Sequence, residues 1–388
     1  MKGKFIEIIG LVVIVIIVVI AISTQRTHAP KEPEVYKIGA ILPLTGDISE
    51  YGQRIKRGIE IALEEVNQLG QRRVEVIYED SKGSSREGVT VAHKLINKKV
   101  CFIIGAVSSS VTLSIIPISD QYKVLLFSPA SSSPKLSGIS SYFVRNWPSD
   151  VLEATVLAEY AYERLNIRKA VIFYVNNDYG LGLKEEFSKT FRKKGGEILG
   201  IEAYPLNARD FRSLVGKYRN RFEDIEAIYL AGYHRDMAFA TKQLREGGYK
   251  GLTLADADYG IPEVIEIAGE AAEGNIYASP WYNPEANETA KKFARIFKQR
   301  YKTFPSEFEG NGYDALKLIV EGIQKHGCDP IKVAQHIKQI KHYPGAGGYL
   351  TFTPKGDVIK PIAIMKVEKG EFKRMEVFEP VLDEGGNE

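Results

Sequence analysis

From Tyr36 onward, short apolar runs alternate with amphipathic helical patterns, and this alternation constrains the fold most. Residues 100–104 and 124–127 are continuous apolar runs of strand length. Helical patterns lie between such runs, as at 52–69, where Ile55, Ile59 and Val66 share one face. Continuous apolar strands between helices are typical of a parallel sheet covered on both faces. The sequence therefore predicts an α/β fold.

The alternation falls into two series. The first has strands at 36–42, 74–78, 100–104 and 124–127, and helices at 52–69, 86–97 and 111–121. The second has strands at 169–175, 197–204, 227–231 and 252–255, and helices at 151–165, 182–194, 211–222, 236–246 and 261–268. Helices at 290–301 and 312–325 and strands at 348–352 and 359–367 follow. Because 388 residues exceed one ordinary core, we expect two α/β lobes around a shared cleft.

The first residues follow another pattern. Lys2 and Lys4 precede an apolar stretch from Ile8 to Ile22, which is typical of a signal peptide or of an uncleaved membrane anchor. We favour the anchor, because the residues after the stretch form no clean small-residue cleavage site. Both alternatives place the rest of the chain outside the cytoplasm, with residues 1–35 as signal or anchor and linker.

Charge and cysteine content narrow the classes further. The net charge of +3 and the lack of a long basic run give no support to nucleic-acid binding. The two cysteines, Cys101 and Cys328, could pair in an exported protein. Since Cys101 falls in a predicted buried strand, we expect two independent thiols instead.

Serine-rich turns follow two neighbouring strands of the first series. Ser108, Ser109 and Ser110 come after strand 100–104, and the turn 128–134 comes after strand 124–127. Ligands bind at the carboxyl ends of parallel strands, and amides at a helix N-terminus favour an anion such as a carboxylate. The alternative is that these serines only cap the helices that follow. No nucleophile with a base lies nearby, so the pattern indicates capture rather than catalysis.

Eight collinear strings then identify a family. They are IGAILPLTGDISEYGQRIKRGIEIALEEVN (38–67), FIIGAVSSS (102–110), LFSPASSSPKLS (126–137), FVRNWPSD (143–150), VNNDYGLG (175–182), AGEAAEG (268–274), NGYDALKLIVEGI (311–323) and GYLTFTPKGD (348–357). From about Tyr36 to about Val377 the chain resembles the type I periplasmic binding proteins, specifically the branched-chain amino acid (Leu/Ile/Val) binding proteins of ABC transporters.

The resemblance implies two doubly wound parallel-sheet lobes joined by a three-segment hinge. It places crossings between lobes near Asp150, Ser279 and Gly348. Lobe one would be 36–150 plus 280–348, and lobe two 151–279 plus 349–388. The family binds its ligand on one lobe of an open cleft, and the other lobe then closes over it.

The resemblance also assigns ligand-binding residues. Ser109 and Ser132 match the hydroxyl positions that hold a ligand α-carboxylate, and three neighbours match the pocket wall: Ser108, Ala130 and Ser131. Aromatic contacts match Tyr51 from lobe one and, from lobe two, Tyr179 and Tyr233. Considered alone, a tyrosine in a loop is usually a half-buried anchor with its hydroxyl in water.

A ligand ammonium group needs a carboxylate. The family position for it falls nearest Ala257, so this chain departs from the pattern there. We expect Asp256 or Asp258 to substitute; otherwise the ligand lacks an α-amino group. Asp150 matches a family aspartate near the first crossing and would hold the ammonium or orient the hinge. The alternative for these aspartates is ordinary turn or N-cap formation.

Motifs for other chemistry are missing from the sequence. It has no H-E-x-x-H, CxxC, Walker A or G-x-S-x-G string. His234 stands alone near the predicted cleft, and a lone histidine is most often a hydrogen-bonding surface group. We therefore expect no metal, no cofactor and no catalysed reaction.

The sequence thus predicts an extracytoplasmic solute-binding protein of an ABC importer. It would capture a small amino acid-like ligand, a branched-chain amino acid by default, and present the closed form to a membrane permease. One alternative is a ligand-sensing receptor ectodomain of the same fold. The other is an exported α/β hydrolase.

Overall fold

Two sheets organise the fold. The structure is a computed structural model that describes residues 35–68 and 73–380. The strands are β1 (Val35–Leu42), β2 (Arg73–Asp80), β3 (Phe102–Gly105), β4 (Leu125–Ser128), β5 (Phe143–Arg145), β6 (Lys169–Val175), β7 (Glu197–Tyr204), β8 (Ala227–Ala231), β9 (Leu252–Ala255), β10 (Ile276–Pro280), β11 (Tyr343–Gly345), β12 (Gly348–Phe352), β13 (Val358–Ile359), β14 (Ile362–Glu368) and β15 (Glu371–Phe378). The α-helices are α1 (Ser49–Gln68), α2 (Ser85–Asn97), α3 (Ser109–Tyr122), α4 (Asp150–Glu163), α5 (Asp178–Lys194), α6 (Arg212–Tyr218), α7 (His234–Glu246), α8 (Glu263–Ala268), α9 (Glu288–Tyr301), α10 (Glu307–His326) and α11 (Pro330–Lys338).

The first sheet has the strand order β2-β1-β3-β4-β5. The pairs β1–β3, β3–β4 and β4–β5 are parallel. Every residue of β3 and β4 is buried, as their continuous apolar sequences predict. In this doubly wound order, the carboxyl ends of β3 and β4 lead directly into the two serine turns.

The second sheet has the strand order β15-β14-β10-β9-β8-β6-β7. From β7 to β10 its pairs are parallel, and β14 and β15 add an antiparallel edge. The turn between β14 and β15 holds Lys369 and Gly370, both with positive φ, which is the backbone geometry that tight hairpins need. The predicted α/β fold with two lobes is confirmed, with this antiparallel addition to the second sheet.

Helices α1 and α10 pack with their backbones in contact. The buried face of α1 carries Ile55, Ile59 and Val66, which lie one and two helical turns apart, as the sequence predicts. A Cβ atom on Gly58 of α1 would lie 1.9 Å from the Glu309 carbonyl oxygen. Since no side chain fits there, glycine sets the separation of the two helices. Helix α10 begins with a capping box in which Ser306 and Glu309 bond each other's backbone N–H groups.

The two cysteines form a disulfide. Cys101 precedes β3, and Cys328 lies between α10 and α11, with a Cα–Cα distance of 6.0 Å. The expectation of two independent thiols is therefore wrong. A buried strand beginning at Val100 suggested a core thiol, but β3 begins at Phe102, which leaves Cys101 just before the amino end of that strand, within reach of Cys328.

Several elements and one terminal segment differ from the sequence picture. Strands β5, β10, β11 and β15 and helix α11 have no counterpart among the predicted elements, because most of them are short or lack a clear periodicity. Among the helices of the described ranges, none combines the length and apolarity needed to cross a bilayer. The predicted signal or anchor at Ile8–Ile22 lies outside the described residues.

Candidate functional site

A cavity lies between the two lobes at the carboxyl ends of β3, β4 and β8. The empty space between its lining atoms, including the part that is open to solvent, is about 320 Å³. The lining residues are Tyr51, Val107, Ser108, Ser109, Ala130, Ser132, Trp147, Tyr179, Tyr233, Asp258 and Phe308. Eight of these are among the residues predicted for ligand binding.

The N-terminus of α3 forms one wall. Ser108 occupies the N-cap position, but its side chain makes no capping hydrogen bond. The Ser109 hydroxyl oxygen accepts the Ser133 backbone N–H at 3.1 Å, which leaves the hydroxyl proton of Ser109 to be donated. Capping of the helix thus does not account for these side chains. The first amides of a helix have no intrahelical acceptor, so this wall presents neutral donors.

The turn after β4 forms the adjoining wall. Ala130 and Ser132 line the cavity, whereas Ser131 does not. The Ser131 hydroxyl bonds the Val107 carbonyl oxygen at 2.9 Å and the Thr112 hydroxyl at 2.6 Å. Ser131 therefore fastens one serine turn to the other from behind, rather than facing the cavity as predicted.

Aromatic rings form an apolar surface opposite the serines. Trp147 and Phe308 stack with ring centroids 4.7 Å apart, and Tyr51 meets Phe308 edge-on at 5.1 Å. Neither Trp147 nor Phe308 was predicted as a site residue. Trp147 lies within the string FVRNWPSD, and Phe308 precedes the predicted helix 312–325. Nothing in the sequence indicates that residues 161 positions apart would stack.

The second lobe contributes two tyrosines. The rings of Tyr179 and Tyr233 lie 5.5 Å apart, and both side chains are at most 9% exposed. The Tyr233 hydroxyl donates to the Ser108 hydroxyl at 3.3 Å, across the two lobes. Asn177 caps α5 by accepting the N–H groups of Tyr179 and Gly180, which fixes the position of the Tyr179 ring.

Asp258 is the carboxylate in the cavity wall. Burial raises its pKa well above the ordinary value, and the nearby Tyr51 hydroxyl opposes that rise. Within the described part of the chain, the lining holds no lysine or arginine. The electrostatics of the cavity therefore favour a ligand that brings a positive charge to Asp258.

The other two predicted aspartates lie behind the wall. Asp256 accepts the N–H groups of Gly232 at 2.7 Å and Asp258 at 3.0 Å, so it shapes the loop that carries Asp258. Asp150 is fully buried at the start of α4, and its backbone N–H donates to the Ser132 carbonyl oxygen at 2.9 Å. Burial raises the pKa of Asp150 to about 7.

His234 is a buried link between the lobes, so its interpretation as a surface group is wrong. Its side chain is 1% exposed, with Nδ1 2.8 Å from the Tyr51 hydroxyl and Nε2 3.0 Å from Glu263. Burial lowers the pKa of His234, and Glu263 opposes this. The ring bonds the Tyr51 hydroxyl and does not line the cavity, so it holds Tyr51 in place.

A larger groove lies elsewhere. It has a volume of about 1150 Å³ and is lined by residues that include Trp281, Tyr349 and Pro361. None of the predicted site residues lines it. The interlobe cavity, where donors, aromatic rings and a carboxylate converge, is therefore the candidate site.

Known proteins share both the sequence pattern and the fold. A sequence model of the family described as "Periplasmic binding protein" matches residues 35–371. The Leu/Ile/Val-binding protein homolog 3 of Brucella melitensis is 28% identical over 348 residues, which cover 87% of this chain and 93% of that protein.

Solved structures of related proteins have the same fold as this chain. The leucine binding protein LivK of Thermotoga maritima superposes with a TM-score of 0.83 and 32% identity, covering 89% of this chain and 99% of that one. The branched-chain amino acid transporter substrate binding protein LivJ of Streptococcus pneumoniae, solved with isoleucine, gives a TM-score of 0.82 at 24% identity, covering 89% and 100%. The chain therefore belongs to the periplasmic binding protein family, as a type I member of its branched-chain amino acid group.

Proposed function

We propose that the protein is the substrate-binding component of an ABC importer and captures a free α-amino acid with an apolar side chain. The observation that carries the proposal is the division of one cavity into three surfaces. Neutral donors from Ser109 and Ser132 suit a carboxylate, Asp258 suits an ammonium, and the rings of Trp147 and Phe308 suit an aliphatic group. A branched-chain amino acid presents these three groups in this combination.

The proposal includes the mode of closure. Ser109 and Ser132 would bind the ligand first on lobe one, and Tyr179 and Tyr233 would then close over it from lobe two. The closed form would be presented to a membrane permease outside the cytoplasm, and no reaction would be catalysed. A leucine-binding relative at 32% identity supports the ligand class.

The lobe boundaries remain part of the proposal, with one adjustment. The predicted third crossing lay near Gly348. However, the Gly356 carbonyl oxygen accepts the Arg145 N–H of the first sheet, and β12 continues the small sheet β11-β12-β13. The chain joins the second sheet only at Ile362. We therefore place the third crossing at Lys360–Pro361.

The test is calorimetry with matched ligands after mass spectrometry of whatever co-purifies. Leucine, isoleucine and valine are compared with 4-methylpentanoate, which lacks the ammonium, and with leucinamide, which lacks the carboxylate. Amides, urea and aromatic acids complete the panel. We expect a branched-chain amino acid to bind at least about 100-fold more tightly than either matched analogue, because each missing group leaves a buried partner unpaired.

The variant D258N separates the ammonium site from the rest. It should lower the affinity for leucine more than tenfold, since removal of a buried charge partner costs more than about 1.4 kcal/mol. The affinity for 4-methylpentanoate should stay nearly unchanged or increase. Equal losses for both ligands would contradict the role of Asp258. Tight binding of an aromatic acid in place of amino acids would overturn the proposed ligand class.

A further inference from the structure

Arg145 lies beneath the serine turn that borders the cavity. It belongs to β5 and has the largest side chain among the fully buried residues, with 0% exposure. Its Nη1 donates to the carbonyl oxygens of Ser131 at 3.2 Å and Ser133 at 3.0 Å, and its Nη2 donates to the Ser137 hydroxyl at 2.8 Å. One guanidinium thus holds the turn at two carbonyls on either side of Ser132.

These contacts determine which way the amides of the turn point. The Ser131 N–H donates to the Ser128 hydroxyl at 2.9 Å, and the Ser133 N–H donates to the Ser109 hydroxyl at 3.1 Å. The Ser132 carbonyl oxygen accepts the Asp150 N–H. With the three carbonyls directed away from the cavity, the Ser132 N–H is the amide of this turn without an acceptor in the described residues. It is therefore available to a ligand.

Asp357 keeps the guanidinium in place. Its Oδ1 accepts Arg145 Nε at 2.6 Å, and the backbone N–H of Arg145 donates to the Gly356 carbonyl oxygen at 2.9 Å. A Cβ atom on Gly356 would lie 2.6 Å from the Phe143 carbonyl oxygen, and its φ is +89°. The hairpin turn before β13 is thus seated closely against β5. A distant chain segment fixes the arginine that orients the turn.

We propose that Arg145 is the positioning residue for carboxylate recognition and that Asp357 anchors it. The inference rests on the proposed function of the cavity. Arg145 does not touch the ligand. It holds the Ser131 and Ser133 carbonyls on the far side of the turn, so that the Ser132 N–H and the Ser109 hydroxyl face the carboxylate. Its positive charge lies behind the peptide groups and reinforces their dipoles toward an anion.

The test compares Arg145 with Arg245, a partly buried arginine that makes similar contacts. In lobe two, Arg245 Nη1 donates to the carbonyl oxygens of Tyr249 and Gly251, and Nη2 to Asn275, away from the cavity. The variants R145K and R245K both keep a charge and lose the planar fork of donors. Calorimetry measures leucine and leucinamide with each variant. R145K should lower the affinity for leucine about tenfold or more and the affinity for leucinamide less than about threefold. R245K should leave the ratio of the two affinities unchanged.

Amide hydrogen exchange gives a readout that needs no ligand. Peptides from residues 128–137 should exchange faster in R145K and, to a smaller extent, in D357N, and at the wild-type rate in R245K. If folded R145K had the same ratio of leucine affinity to leucinamide affinity as the wild type, the proposal would be overturned. If the wild-type protein bound no amino acid, the proposed function would fail by itself. Unchanged exchange in 128–137 would then separately overturn the role of Arg145 in holding the turn.

Discussion

At the scale of single residues, serine performs two tasks at the cavity. Ser131 joins the two serine turns, while Ser109 and Ser132 line the cavity. Identical side chains at adjacent positions of one turn, Ser131 and Ser132, therefore have different orientations. Sequence reasoning placed all of them in the pocket, because neighbouring positions in a turn carry no periodicity from which a direction could be predicted.

Loss of both cavity hydroxyls should weaken carboxylate ligands. In the double variant S109A/S132A, the affinity for leucine should fall by about 2–3 kcal/mol if each hydroxyl contributes a typical hydrogen bond. Calorimetry measures the change. S114A is the matched control, because the Ser114 hydroxyl donates to the Val111 carbonyl oxygen at 2.7 Å on the same helix and lies outside the cavity. An unchanged affinity in the double variant would show that the carboxylate binds elsewhere.

Asp150 should make stability depend on pH. Burial raises its pKa from 3.8 to about 7, while the Ser132 hydroxyl and the Arg145 charge oppose the rise. Between these pH values the folded state binds more protons than the unfolded state, so the contribution of Asp150 to stability falls as pH rises from about 4 to about 7. The variant D150N does not titrate. Its free energy of unfolding should therefore rise relative to wild type by about 2–4 kcal/mol over this range.

Urea unfolding at several pH values from 4 to 8 measures this difference. D210N is the control, since Asp210 is exposed and Arg212 holds its pKa at about 2. Above about pH 5, Asp210 is ionised in both the folded and the unfolded protein. D210N should therefore follow the wild-type pH curve there. Parallel curves for D150N and wild type would show that the Asp150 carboxylate is stabilised by a partner that offsets its burial.

At the scale of elements, the sequence predicts regular segments well and their edges poorly. The helical period of α1 and the apolar runs of β3, β4 and β8 are sufficient to predict these elements. Burial produces such a sequence pattern directly. Strand β5 has three residues and β10 ends in Ser279-Pro280. Their strand conformation depends on pairing with neighbours far along the chain, which local sequence does not record.

The same limit applies to the site. Ser109 and Ser132 follow strands, so topology brings them together, and the sequence predicts this. Phe308 reaches the cavity because α10 packs against α1 through Gly58, and that contact joins segments about 250 residues apart. The role of Arg145 could not be predicted from the sequence for a similar reason. Its role depends on a hairpin turn at Asp357 that arrives from the end of the chain.

The disulfide should stabilise the first sheet without affecting the cavity. Cys101 precedes β3, whereas the cavity-lining serines Ser109 and Ser132 follow the carboxyl ends of β3 and β4. The link closes a loop of 227 residues, so C101S/C328S should lower the free energy of unfolding by about 2–5 kcal/mol, and reduction of the wild type should have a similar effect. Urea unfolding and calorimetry check both parts. If the fully folded variant bound leucine much more weakly than the wild type, the disulfide at the amino end of β3 would be coupled to the serine turns.

At the scale of the whole molecule, contacts outside the cavity join the lobes. The Ser110 hydroxyl donates to Asp178 Oδ2 at 2.8 Å and accepts the Asp178 backbone N–H at 3.2 Å, and Lys135 Nζ lies 2.8 Å from Asp178 Oδ1. Ser110 lies in the first turn of α3 in lobe one, and Asp178 begins α5 in lobe two. Because these bonds require the two helix ends to meet, they hold the lobes in this arrangement, and we expect them to break when the cleft opens.

Removal of this contact should therefore weaken binding without changing selectivity. D178A and S110A should each reduce the affinity for every ligand by about 2- to 10-fold, the value of one net hydrogen bond. The ratio of leucine to leucinamide should stay constant, unlike in S109A/S132A. The loss in the double variant should be smaller than the sum of the two single losses, since both substitutions remove the bond between the Ser110 hydroxyl and the Asp178 carboxylate. K194A is the control, because Lys194 pairs with Glu159 and Glu163 within lobe two. Additive losses, or a changed selectivity, would indicate that Ser110 or Asp178 meets the ligand rather than holding the lobes together.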